Sequence, residues 1–144
     1  MKLRQASLAA LLAGPLALGC HGSSSPTSAS GFQIVIIAVL ANTAQAPTIV
    51  EAKALFDGVV VEDPGTESNP VASILFDPTG FTTSGPHTFQ LQIVDQTTSP
   101  NNYTVATPIV RVFDVAGTLL KTIQLNTQTA SLATGGSISY SFSL

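Results

Sequence analysis

Ser137-Ile138-Ser139-Tyr140-Ser141-Phe142-Ser143-Leu144 is the stretch that decides the fold. Every even position is apolar and every odd one is serine. Successive side chains of a strand point to opposite faces, so this alternation predicts a β-strand with one buried face. Residues 87–95 read the same way. Phe89, Leu91 and Ile93 share one face, and Thr88, Gln90 and Gln92 share the other. Upstream, Val50, Ala52, Ala54 and Phe56 alternate with Glu51 and Lys53. A helix is the rival for residues 49–55. Asp57-Gly58, followed by the β-branched Val59-Val60-Val61, decides for strand, turn, strand.

Residues 34–41 are continuously apolar and too few to span a bilayer. They predict a strand buried on both faces. Further strands are expected over 71–76, 103–113 and 118–125. Pro108 lacks a backbone N–H and marks an edge or a bulge within its strand. The total is 7–9 short strands divided by Gly, Pro, Asn and Asp signals. No convincing helix follows Gly31, and a parallel sheet would need crossover helices. The fold class is therefore all-β, an antiparallel sandwich.

Three strands end in one phrase: Leu55-Phe56-Asp57-Gly58, Leu75-Phe76-Asp77-Pro78-Thr79-Gly80 and Val112-Phe113-Asp114-Val115-Ala116-Gly117. The aromatic ring closes the core, Asp starts a turn, and Gly supplies a positive φ. Gly80 and Gly117 are both expected to be left-handed turn residues.

At the N-terminus, Lys2 and Arg4 precede a mostly apolar run from Ala6 to Leu18, and Gly19 leads into Cys20, the only cysteine. A basic start, an apolar centre and small residues before the cut make a secretory signal. Leu16-Ala17-Leu18-Gly19-Cys20 resembles the relaxed form of a bacterial lipobox. The resemblance implies cleavage before Cys20 and acylation of that cysteine. It implies partnership with a membrane through the lipid anchor. His21 stands where an aspartate would be the usual inner-membrane retention signal, so the implied location is the outer membrane. The expected organisation is a signal peptide over 1–19, a lipidated cysteine and Ser/Pro-rich tether over 20–30, and a sandwich over 31–144. The tether has an extended reach of ~35 Å.

Once the signal is removed, three basic residues (Lys53, Arg111, Lys121) face eight acidic ones, a net charge of −5. Phosphate binding needs clustered Lys and Arg, so a nucleic-acid partner is excluded. Charged residues are 9% of the chain, against about 25% in ordinary soluble domains. Ser, Thr, Asn and Gln supply the polar surface, a pattern that suits an exported β protein.

The order Leu55-Phe56-Asp57-Gly58, then Phe76-Asp77-Pro78-Thr79-Gly80, then Gly85-Pro86-His87-Thr88 resembles bacterial immunoglobulin-like domains. Leu132-Ala133-Thr134-Gly135-Gly136-Ser137 is similar to their last turn. The resemblance spans residues 48–144 and rests on turns and strand ends. It implies an immunoglobulin-like sandwich, with His87 in a structural role. It leaves activity open. The segments 63–70 and 96–102 depart from the family pattern.

Chemistry-bearing constellations are scarce. His21 lies in the tether and His87 at a strand entry. Cys20 is committed to lipid. No Gly-x-Ser-x-Gly elbow is present. No enzyme activity is expected, and a small hydrolase ranks below every binding role. The expected role is a non-catalytic interaction or adhesion module, with an envelope or surface protein as partner. The alternative is carbohydrate- or calcium-dependent binding. Tyr103, beside Pro100-Asn101-Asn102, is the one aromatic expected to offer an exposed ligand contact. Asp57, Glu62, Asp63 and Asp77 lie at strand ends or loops and are the candidate calcium ligands. Turn formation is the plainer explanation of those aspartates.

Overall fold

The computed structural model describes residues 31–43, 46–98 and 100–144. The expected signal peptide, Cys20 and the tether lie outside the described residues. The described chain holds eleven strands and no helix. They are β1 (Phe32–Asn42), β2 (Ile49–Phe56), β3 (Val59–Glu62), β4 (Ser73–Phe76), β5 (Thr79–Thr82), β6 (Pro86–Gln96), β7 (Asn101–Val105), β8 (Ile109–Phe113), β9 (Leu119–Gln124), β10 (Gln128–Leu132) and β11 (Ser137–Ser143).

Two antiparallel sheets form a sandwich. One runs β3-β2-β6-β11. The other is built on β1, with β4 and β5 along one side and β7 and β8 along the other. Beyond these, β9 pairs with β8 and β10 with β7. Three pairs of consecutive segments (β4/β5, β7/β8, β9/β10) are thus single extended runs with a break. Joining them reduces the eleven segments to eight runs, within the expected range.

Proline explains the breaks. Pro78 lies between β4 and β5, and its carbonyl still accepts Ile36 N–H at 3.0 Å. Pro108 lies between β7 and β8, where Thr107 takes a positive φ of 40°. The Pro108 carbonyl accepts Leu125 N–H at 2.8 Å, and the facing run breaks there too. A residue without N–H interrupts the ladder without ending the sheet. Pro108 therefore marks a break inside the sheet and not an edge. The segments β5 and β10 were not foreseen in sequence. The excursion β7–β10 leaves the β6–β11 sheet and joins the other one.

The core lies between the sheets. Ile34, Ile36, Ala38 and Leu40 of β1 meet Ala52, Ala54, Phe89, Leu91, Ile93, Ile138 and Tyr140 of the opposite sheet. The expectation that β1 is buried on both faces fails. Its even residues from Ile34 to Asn42 are buried, Val35 and Ile37 are half-buried, and Val39 is exposed. The domain has two layers, so among the described residues nothing covers the outer face of β1.

Candidate functional site

Asp57 and Gly58 both take positive φ, 49° and 81°, and close the β2–β3 hairpin. The Asp57 carboxylate reaches across to β6. It accepts Thr88 N–H at 2.8 Å and lies 2.8 Å from His87 Nδ1. His87 Nε2 lies 2.9 Å from the Thr83 carbonyl. The imidazole is buried and stacks on Phe56 at 5.1 Å between centroids. Burial pushes the Asp57 carboxyl up, but the His87 and Thr88 contacts outweigh it and hold it below the usual carboxylate range. A nucleophile would need a free imidazole nitrogen as base. Here Thr83 already takes Nε2, and the hydroxyl at 3.4 Å belongs to Thr82, not a serine. The arrangement ties two turns together.

Of the other candidate calcium ligands, Glu62 and Asp63 are separately engaged, and Asp77 adjoins Glu62. Glu62 accepts Asp77 N–H at 2.9 Å. Burial, helped by the Asp77 charge, raises the Glu62 carboxyl above its usual range against that hydrogen bond. Asp63 pairs with Lys53 at 3.1 Å and accepts Gly65 N–H at 3.0 Å. Lys53 holds the Asp63 carboxyl low, and Asp63, with Glu51, holds the Lys53 ammonium high. Among the described residues no three His, Cys, Asp or Glu side chains gather to hold a metal ion.

Tyr103 corrects a sequence expectation. It is 0% exposed, in the core, with its hydroxyl donating to Gln96 Oε1. Asn101 and Asn102 begin β7 itself, so alternation turns the next side chain inward. It offers no ligand contact. Gly80 is a second correction. It lies in β5 opposite Ile34 and has no positive φ. Asp77 and Pro78 interrupt a continuing run, so no turn needs that glycine.

Two features could not be read from spacing, because each joins distant segments. The first is an apolar seam between the edges β3 and β5. Ile34, Ile36, Phe56, Val61, Gly80 and Phe81 line a pocket of ≈ 80 Å³ there. A Cβ on Gly80 would meet nothing within 4 Å, so neither backbone nor crowding demands glycine. Its missing side chain leaves the pocket open. Val59, Val60 and Val61 stand exposed along the β3 edge. The second is a polar groove of ≈ 410 Å³ between the β9–β10 run and β11, lined by Gln124, Asn126, Gln128, Ser139 and Ser141. Gln128 Nε2 donates to the Ser139 carbonyl across it at 2.9 Å. No family model, curated protein or solved structure matches this chain.

Proposed function

We propose that this is an exported, lipid-anchored protein of the bacterial outer membrane whose sandwich is a non-catalytic interaction module. The anchor rests on the signal-like segment and the lone Cys20. The interaction reading is carried by the β3–β5 seam. An edge strand presents unpaired N–H and C=O groups, and proteins ordinarily guard it with Lys or Pro. The β3 edge carries three exposed valines instead, beside an apolar pocket held open by Gly80. An extended segment of an envelope protein adds to β3 through its backbone and lowers one aliphatic side chain into the pocket.

Photocross-linking from position 60 of the acylated protein in its own host tests the binding mode. A discrete adduct is expected, and Gly80→Val, which fills the pocket, should reduce it at least several-fold. An adduct unchanged by Gly80→Val, or no adduct at all, moves binding away from the seam. Mass spectrometry of an unmodified Cys20 would overturn the anchor.

A further inference from the structure

The chain enters the sandwich at Gly31, whose Cβ position lies 3.2 Å from the Thr82 carbonyl. Three connections share this pole. Phe32 pairs with Thr82, so the β5–β6 connection is here. Gln33 pairs with Phe113, which brings the β8–β9 turn alongside. His87 brings the Asp57 turn. At the same pole stand four exposed large apolar side chains of the β1 sheet and its β8–β9 turn: Phe81 (77%), Val115 (66%), Leu120 (53%) and Leu119 (51%). Phe81, Gln33, Phe113 and Leu119 form one row across the outer face, since each is the register partner of the next. The opposite pole is acidic. Glu51 pairs in register with Asp95, binds Thr66 and lies with Asp63 on Lys53. Glu67 N–H donates to the Val50 carbonyl beside them.

We infer that the domain rests on the bilayer surface through the Phe81–Val115–Leu119–Leu120 pole, with its acidic pole turned away. This rests on the anchoring reading under Proposed function. Residues 20–30, between Cys20 and this pole, reach at most ~40 Å. A tether that short holds the pole at high effective concentration beside the membrane, so a modest apolar patch suffices for docking. Exposed apolar side chains gathered at one end of a domain mark such contacts. Charged side chains are fewer at this end than at the other. Asp57 is held by His87 and Thr88, Asp114 caps its own turn, and Lys121 is exposed. The acidic pole would be repelled by anionic headgroups.

The test uses the acylated full chain in vesicles of phosphatidylethanolamine and phosphatidylglycerol, with one cysteine added for an environment-sensitive dye. Val115→Cys places the dye at the docking pole and Ser68→Cys at the acidic one. Lipids carrying a shallow spin-label quencher should quench the dye at 115 at least threefold more than at 68. The triple variant Phe81→Ser/Leu119→Ser/Leu120→Ser should abolish that difference while the protein still floats with the vesicles. All three side chains are exposed, so circular dichroism should be unchanged. Equal quenching at 115 and 68 overturns the orientation while leaving the anchor intact. A dye at 115 that is shielded from water but unquenched means that a protein chain or a second copy covers the pole, and also overturns it. Failure to float, with Cys20 unmodified by mass spectrometry, removes the anchor and the orientation together.

Discussion

Tyr140 buries its hydroxyl in the core without a hydrogen-bond partner among the described residues. An unmade hydrogen bond in the interior costs about 1–3 kcal/mol. Tyr140→Phe should therefore raise stability by about 1 kcal/mol in urea unfolding. Burial also pushes the phenol up to about 12 from 10.0. The folded state holds its proton longer than the unfolded one, so stability falls as pH rises from about 10 towards 12. The Phe variant should lack that loss. Asp57 titrates with the opposite sign. Its carboxyl is held low in the fold, so it contributes above the ordinary value of 3.8, and the contribution is lost as pH falls through the folded value. Asp57→Ala should flatten the acid limb of a pH–stability curve; an unchanged limb would mean that the turn tie to His87 carries nothing. Gly117 and Gly80 make a matched pair. Gly117 has φ 85° in a turn where Asp114 Oδ1 accepts Ala116 and Thr118 N–H. Gly117→Val should cost roughly 1 kcal/mol or more. Gly80→Val, in an open strand position, should cost less than about 0.5 kcal/mol, since valine suits a strand.

At the scale of elements, β11 shows how alternation sets tolerance. Leu144 and Gly85 exchange both backbone bonds, at 3.0 and 3.3 Å. Hydrogen-bonded pairs alternate with non-bonded ones in an antiparallel ladder, so Tyr140–Phe89 is bonded and Ser139–Gln90 is not. The Ser139 backbone therefore points away from β6, as its carbonyl bond to Gln128 agrees. Ser139→Pro should leave the domain folded, whereas Tyr140→Pro should unfold it; near-ultraviolet circular dichroism distinguishes the two. The sequence made β11 legible because one face is buried and the other is wet. It made β1 misleading, because an uncovered outer face and a buried one carry the same apolar side chains in residues 34–41. It concealed β5 because Pro78 resembles a strand end, and only the pairing with β1 shows that the run continues; β10 shows itself only through its pairing with β7.

For the whole molecule, three of the four candidate calcium carboxylates, Asp57, Asp63 and Glu62, are spent on separate partners: His87, Lys53 and the Asp77 N–H. Removing calcium with chelator should leave the melting temperature within about 1 °C, measured by differential scanning fluorimetry with and without added Ca²⁺. A shift of several degrees would call for a site among the carboxylates. The sequence by itself determined what depends on local chemistry: strands where apolar residues alternate, turns where Asp meets Gly, an antiparallel all-β class without room for crossovers, and an export-like start. Such features depend on residues a few positions apart, and backbone sterics and side-chain alternation act over that range. Only the tertiary structure decided the partners of each edge, the burial of Tyr103, the open seam beside Gly80 and the apolar pole around Gly31. Those features join residues tens of positions apart. Their distances are set by how two sheets close over a shared core, and no spacing along the chain encodes that closure in readable form.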